Sequence, residues 1–363
     1  MSFSNALIGD LTKIRTGKLD ANAAVQGGAY PFFTCAVEPL SIDRYAYDCD
    51  AILIAGNGDL NVKHFKGKFE AYQRTYIIEV EDNAKLDSRY FYYFMLKYVE
   101  KLRDLSIGGV IKYIKLEMLT DAEIPLPPLE QQKRIAAILD KADAIRRKRQ
   151  QAIKLADDFL RATFLDMFGD PVTNPKGWKF SAFEDIAQFK QGMQVAVEEQ
   201  RTEEFENSSR FLRIINYTQN SSDYRYITKQ PISRYVNKDD IIMVRYGATA
   251  GYIGRGLEGV LANNMFTIKP DDKLMLKSFL YYLLKLPEIY NLMVGERKAA
   301  AMPAINFSSI GKIKIYIPNL KRQQDFVDYL TLFENIQQKM IAFHNRSESN
   351  FKSLTQRAFR GEL

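Results

Sequence analysis

The chain has 363 residues, 46% hydrophobic and 26% charged, with a formal net charge of +7. That length supports two domains with real cores, and the composition is ordinary for a soluble protein without low-complexity tracts. No apolar run approaches the ~18 residues of a membrane span, and Met1–Asn5 lacks the charged start and apolar core of a signal peptide. Cys35 and Cys49 form no metal or redox spacing. They read as free thiols of a reducing cytoplasm. The basic balance favours a polyanionic partner, DNA or RNA first of all.

Residues 1–128 read as a first domain. Tyr45–Ala55 and Gln73–Val80 are rich in Ile, Tyr and Val and predict strands. Between them, Gly56–Lys68 is a glycine-punctuated loop or hairpin with Lys63, His64, Lys66 and Lys68. It is either a solvated turn or a DNA-facing loop, in which Lys neutralises phosphates and His or Asn reaches base edges. Leu86–Leu102 has helical spacing through Phe91, Phe94, Met95 and Tyr98 and predicts a core-packing helix.

Residues 129–170 predict one long helix. Pro125, Pro127 and Pro128 cannot lie inside it, and nothing then breaks the pattern before Gly169. At 1.5 Å per residue, ~40 residues span roughly 60 Å, more than one domain's core can cover. Ile135, Ile138, Ala142, Ile145, Ala152, Ala156 and Phe159 form a 3-4 stripe interrupted at Arg149, the pattern of a helix that packs along another. Arg146-Arg147-Lys148-Arg149 is a solvated face, or a contact to DNA phosphates or an acidic partner.

Residues 171–317 read as a second domain, entered through Asn174-Pro175-Lys176-Gly177-Trp178. A strand over Ile241–Tyr246 runs into a glycine-rich segment holding Arg245 and Arg255, the counterpart of Gly56–Lys68. It lacks the Gly-Lys-Ser/Thr of a phosphate loop. Leu274–Val294 predicts one helix. A second long helix follows over 318–363, with its stripe at Phe326, Leu330, Phe333, Ile336, Met340, Phe343, Ser347, Phe351 and Leu354.

The second half repeats the first. Pro318-Asn319-Leu320-Lys321-Arg322-Gln323 answers Pro127-Pro128-Leu129-Glu130-Gln131-Gln132, and Ile145 falls on Ile336. Upstream, Gly17 answers Gly192, and Gln73-Arg74 answers Asn263-Asn264. The order is domain, helix, domain, helix, with a period too long for a solenoid. This predicts an α+β chain: two similar α/β domains separated by two long antiparallel helices, with approximate two-fold symmetry.

Catalytic residues are scarce. His64 and His344 are the only histidines and lie in different segments, which disfavours a histidine metal site or triad. No methyltransferase, helicase or nuclease motif is present. Asn174-Pro175-Lys176 departs from the Asn/Asp-Pro-Pro-Tyr/Phe pattern at its second proline. The carboxylate pairs Asp239-Asp240 and Asp271-Asp272 sit in polar, turn-like contexts. A non-catalytic reader is expected.

Leu126-Pro127-Pro128-Leu129-Glu130-Gln131-Gln132-Lys133-Arg134-Ile135, after Ile114-Lys115-Leu116 and before a long helix, resembles the central region of type I restriction-modification specificity (S) subunits. The copy at Ile317–Phe326 and the terminal Ala358-Phe359-Arg360-Gly361-Glu362-Leu363 resemble that family's distal region. Lys176–Lys179 with Phe183–Ile186 resembles the start of its second target-recognition domain. The likeness covers essentially the whole chain. Its departures are the missing Gly-Trp near Ile8-Gly9-Asp10 and Asn319 in place of Pro128.

The resemblance implies that each domain is a target-recognition domain reading one half of a split site in double-stranded DNA. The helices would fix the gap and dock two methyltransferase (M) subunits, and restriction (R) subunits would join for cleavage. S-adenosylmethionine would serve M, and ATP with Mg2+ would serve R; this chain would hold no cofactor or metal. Within that reading, the base-reading candidates are Lys63, His64, Lys66, Gln73 and Arg74, then Arg245, Tyr246, Asn263 and Asn264. Asn, Gln and Arg are chosen because they make paired hydrogen bonds to A or G edges. The subunit-docking candidates are Ile135, Ile138, Ile145, Phe326, Phe333 and Ile336. A protein-only coiled-coil scaffold, a DNA-binding partner of another kind of methyltransferase, and an autonomous DNA enzyme are the alternative classes.

Overall fold

The computed structural model describes residues 3–295 and 304–363. Its contacts divide into two units, Met1–Ile153 with Lys339–Leu363, and Lys154–Gln338. The boundary falls inside both long helices.

The first unit runs through β1 (Asn5–Leu7), β2 (Thr12–Thr16), β3 (Tyr30–Phe33), β4 (Leu40–Ile42), β5 (Tyr47–Ala55), β6 (Val62–Ala71), β7 (Thr75–Val80), α1 (Ser88–Leu105), α2 (Glu117–Thr120) and β8 (Glu123–Pro125). It ends on the start of α3 (Leu129–Phe168). One sheet has the order β2-β7-β5-β6-β3-β4. Strands β5 and β6 pair antiparallel from Tyr47–Phe69 to Ile54–Val62, and β3 adds to β6 in parallel through Phe32–Glu70 and Phe33–Ala71. Alternation along β5 serves two faces. Ile52 and Ile54 pack with Tyr90, Phe91 and Met95 of α1, while Leu53 joins Phe33, Phe69 and Ile77 on the other side.

The second unit holds β9 (Lys179–Ala182), α4 (Phe183–Ile186), β10 (Ala187–Gln191), β11 (Ser208–Leu212), α5 (Ile214–Thr218), β12 (Arg225–Thr228), β13 (Tyr235–Val236), β14 (Ile241–Val244), β15 (Ile253–Gly254), β16 (Gly259–Leu261) and β17 (Met265–Pro270). Then come α6 (Lys277–Lys285), α7 (Pro287–Val294), α8 (Phe307–Gly311), β18 (Lys314–Ile317) and the start of α9 (Leu320–Ala358). Its described strands form the orders β10-β17-β14-β15, β12-β11-β16-β13 and β18-β9. The parallel pair β11–β16 (Phe211–Val260, Leu212–Leu261) repeats β3–β6. Where the first unit has one continuous β6, the second has two short strands. Gly256 (φ 103°) lies in the break and Gly259 (φ 154°) opens β16, and a Cβ at Gly259 would stand 2.6 Å from the Arg210 carbonyl oxygen. The helix expected over 274–294 is two, α6 and α7, because Pro287 has no N–H with which to continue α6.

Each unit contains an antiparallel helix pair. In the first, Ile135, Ala136 and Leu139 of α3 share a core with Ala358 and Phe359 of α9. Farther along α3, Arg146 meets Glu348 at 3.2 Å and Arg149 donates to Ser347 Oγ at 2.6 Å. In the second, Phe164 and Phe168 pack on Phe326, with ring centroids 5.2 and 5.7 Å apart. Gln337 donates to Asp157. The α9 helix ends at Ala358, short of the expected 363, and Gly361 takes φ 76° in the closing turn.

The phase of the expected stripes changes. Ile135, Phe326 and Phe333 are buried, Ile138 is half-buried, and Ile145 and Ile336 stand about half exposed, at 51% and 50%. Asp143, off the expected stripe, is buried, as is Ser347 on it. Asp143 is neutralised by Arg146 at 2.6 Å and Arg147 at 2.8 Å, so a polar layer replaces part of the apolar seam.

Candidate nucleic-acid interface

The two units build the same turn from different residues. In the first, Gln73 and Arg74 are the exposed turn between β6 and β7. The Gly56 N–H donates to the Arg74 carbonyl at 2.7 Å, and the Ile114 N–H donates to the Gly56 carbonyl at 2.9 Å. In the second, Asn263 and Asn264 are the turn between β16 and β17. The Arg245 N–H donates to the Asn264 carbonyl at 2.8 Å, and the Ile305 N–H donates to the Arg245 carbonyl at 2.9 Å. Gly17 and Gly192 press on the strand before each turn. A Cβ there would lie 2.1 Å from the Ala71 carbonyl oxygen or 2.2 Å from that of Ala262. Any larger residue would push the turn away.

Around the second turn, Arg245, Tyr246, Asn263 and Asn264 come together. The Arg245 guanidinium lies 4.9 Å from both the Tyr246 and Phe307 ring centroids, and its Nε donates to the Ile305 carbonyl at 3.0 Å. A guanidinium fixed in this way keeps terminal N–H groups for a planar acceptor pair such as guanine O6/N7. Gln191 Nε2 donates to the Asn263 carbonyl at 2.9 Å, and Asn263 Nδ2 to Gln194 Oε1 at 3.3 Å. Gln191 and Gln194 thus join the patch. Gly192 between them is the sequence signal that marks it.

Around the first turn, Gln73 and Arg74 share a groove with Thr16, Tyr76, Tyr113 and Lys115. The segment Ile107–Tyr113 escaped the sequence reading. Its signal is the Gly108-Gly109 pair directly after α1, followed by Lys112, Tyr113 and Lys115.

Lys63, His64 and Lys66 do not share that groove. Of the loop or hairpin expected over Gly56–Lys68, the hairpin is what forms: a short turn followed by β6, on which His64 stands seven residues before Ala71, about 23 Å at strand rise. Lys66 pairs across the strands with Asp50, and Lys68 with Asp48, so acidic neighbours face these lysines. Lys63 donates to Asn61 Oδ1, and burial pulls its pKa below the usual lysine value.

His64 is tied up on both ring nitrogens. Arg89 Nη1 donates to Nδ1 at 2.9 Å. Because a guanidinium has only donors, Nδ1 is the acceptor. Nε2–H therefore donates to Asp50 Oδ1 at 2.6 Å. Arg89 also bonds Tyr93 at 3.0 Å and pairs with Asp140 on α3. Burial raises the Asp140 pKa, but hydrogen bonds from Arg89 and Tyr93 and the Arg89 charge outweigh it, leaving the carboxyl below its usual range. The network joins the sheet, α1 and α3. Reading a base with His64 would require breaking it, so His64 is a structural member of this joint.

The docking candidates also divide. Ile135, Phe326 and Phe333 are core residues of their own units, which closes them to an outside subunit. Ile145 and Ile336, at equivalent positions, remain open. Of the basic run, Arg146 and Arg149 contact α9, while Arg147 bonds Asp143 and Tyr92.

No helix among the described residues is long and apolar enough to cross a membrane. The chain is similar to the EcoDI specificity subunit of Escherichia coli, 24% identical over 98% of this chain and 87% of that one. It is also similar to the EcoBI specificity subunit of the same organism, 22% identical over 80% of this chain and 69% of the other. In fold it matches the crystal structure of a type I restriction-modification S subunit from M. genitalium, with TM-score 0.63, 18% identity, and 99% and 96% of the two chains covered. A chain from a structural study of complex assembly in the type I R-M system matches at TM-score 0.54, 16% identity, and 100% and 98% coverage. Residues 4–155 and 175–343 each match the family described as type I restriction modification DNA specificity domain; with most of its length in these two copies, the chain belongs to that family of specificity subunits.

Proposed function

We propose that residues 1–128 and 171–317 are two target-recognition domains, each reading one half of a bipartite DNA site. The helices over 129–170 and 318–363 set the gap between the halves and dock two methyltransferase subunits. The chain itself is non-catalytic. Adenine methylation from S-adenosylmethionine takes place in those partners, and ATP- and Mg2+-dependent cleavage in restriction subunits.

The observation that carries this reading is the repeated turn, Gln73-Arg74 in one unit and Asn263-Asn264 in the other. The backbone hydrogen bonds are shared, but the side chains at the two turns differ. Two readers of one design with different side chains suit a site with two unlike halves. The net charge of +7 favours phosphate contacts. Half-sites on one DNA face lie about 34 Å apart, a distance that stiff helices hold better than a flexible linker. Ile145 and Ile336 supply open apolar positions for a docked subunit.

The test is selection from a random duplex pool by this chain assembled with its methyltransferase subunits. A split motif with two unlike halves and a fixed gap is expected. A continuous motif, or no enrichment by a formed complex, would overturn the reading.

A further inference from the structure

Beside the Gln73–Arg74 turn stands a small hairpin with an unusual tip. Ile107 and Tyr113 exchange backbone hydrogen bonds of 3.0 and 2.9 Å. Between them Val110 is fully exposed and Ile111 is 62% exposed. Gly108 takes φ 114°, and a Cβ there would lie 2.6 Å from the Ile111 carbonyl oxygen. The bend therefore needs glycine. The hairpin is held against the sheet by the Gly58 N–H donating to the Lys112 carbonyl at 2.9 Å and by the Asn57–Tyr113 bridge.

Two β-branched apolar side chains in water, on a bend built to present them, carry an unfavourable hydration cost that a covering partner relieves. Their surroundings suggest a polyanion. Lys112 adjoins the tip in sequence, and Tyr113 and Lys115 line the groove shared with Arg74. Basic residues around an apolar tip fit a DNA groove, where phosphates flank the base edges. The apolar group that a duplex offers in its major groove without unstacking is the C5 methyl of thymine.

We infer that the Val110–Ile111 tip enters the groove of the half-site read by the first domain and packs on a thymine methyl. This rests on the proposed function and adds a specificity-determining pair to it. The tip discriminates by shape and apolar contact, while Gln73 and Arg74 supply hydrogen bonds beside it. The half-site must then contain a thymine on one strand.

The experiment uses the full chain assembled with its methyltransferase subunits and its own selected duplex. Deoxyuridine replaces thymidine at each position of the first-domain half in turn, and Kd is measured for the native, Val110→Ser and Ile111→Ser chains. Removing one methyl should weaken native binding about fourfold at one position, the worth of one buried methyl group, and that penalty should vanish in at least one serine variant. The second half-site serves as the control for folding, since its base preferences should not change. The inference is overturned by a first half-site without thymine, or by uridine that costs nothing at every position. It is overturned equally if both variants keep the native penalty. If no site is selected by the native complex, the proposed function fails and this inference falls with it; a selected site with no uridine effect removes this inference alone.

Discussion

Gln132 and Gln323 occupy one place in their respective units and make the same three hydrogen bonds there. Gln132 Oε1 accepts from the Asp87 N–H at 2.9 Å, and its Nε2 donates to the Lys85 and Pro127 carbonyls at 2.8 and 2.9 Å. Gln323 Oε1 accepts from the Leu276 N–H at 2.8 Å, and its Nε2 donates to the Leu274 and Pro318 carbonyls at 2.9 and 2.7 Å. Both side chains are fully buried. Asp87 and Leu276 are the residues that open α1 and α6. The proline motif therefore starts a long helix and, through its glutamine, ties that helix to the domain helix beside it.

Replacing Gln132 with Met keeps its bulk and strands three backbone groups. Given the cost of unpaired buried groups, a loss of about 2–4 kcal/mol is expected. Hydrogen exchange is the readout: the Asp87 amide should exchange faster, while the Leu276 amide keeps native protection. Gln323→Met should do the reverse. Unchanged exchange at Asp87 would show that the bond does not restrain the helix start.

The Asp140 carboxyl, held below its usual range, gives the first unit an acid dependence. A depressed folded pKa contributes stability that is present above the unfolded value near ~3.9 and is lost as pH falls through the still lower folded value. Resistance of the native chain to urea should fall below pH about 4. Asp140→Asn should remove part of that slope and leave a constant offset above pH about 5. Equal slopes in the two chains would contradict the Arg89–Asp140 joint.

Cys49 should be a poor nucleophile. Burial, with Glu79 beside it, pushes its thiol up to about 11, so near pH 8 it stays protonated. Iodoacetamide should alkylate Cys35 first, with Cys49 roughly a hundredfold slower than a free thiol. In urea both should react alike. Equal labelling of the folded chain, read by peptide mass spectrometry, would contradict the assignment.

The two kinds of stripe residue separate by substitution. Phe326→Ala should destabilise the second unit by about 3–5 kcal/mol, since it empties a packed aromatic core. Ile145→Asp and Ile336→Asp should leave stability within about 0.5 kcal/mol and weaken association with methyltransferase subunits. Unfolding by either aspartate, or unchanged assembly with both, would remove these positions from the proposed docking face.

Much of the architecture could be read from residue spacing. Pro128 and Gly169 bound a helix observed at Leu129–Phe168, and the matched proline motifs placed the repeat. The buried face of the helix pair was harder to place. Apolar periodicity follows Ile145, Ile336 and Phe343, which are exposed. The seam also takes in Asp143 and Thr355, polar residues that no apolar pattern marks; Asp143 pairs with Arg146 and Thr355 donates to the Phe351 carbonyl within their own helices, while Ser347, on the expected stripe, is met from α3 by Arg149. Gly56–Lys68 reads as a loop or hairpin, and the structure makes it the turn and most of β6 of a hairpin; Gly67 and the lysines hide the strand pairing that Asp48 and Asp50 complete across it. Gln73, Arg74, Asn263 and Asn264 are candidates from residue type and loop position, and the repeat pairs the two turns. Gln191 and the Val110 hairpin are not among them, since long-range backbone bonds bring them to the patch.

The central claim is that two equivalent turns read two different halves of one site. Its most direct test is the random-pool selection repeated with two variants of the chain, Gln73→Ala with Arg74→Ala, and Asn263→Ala with Asn264→Ala, each assembled with methyltransferase subunits. The account predicts that each variant relaxes base preference in a different half, keeps the other half and the gap, and loses ~1–3 kcal/mol for each base-reading side chain removed. Relaxation of the same half by both variants, or an unchanged motif from either, would contradict it.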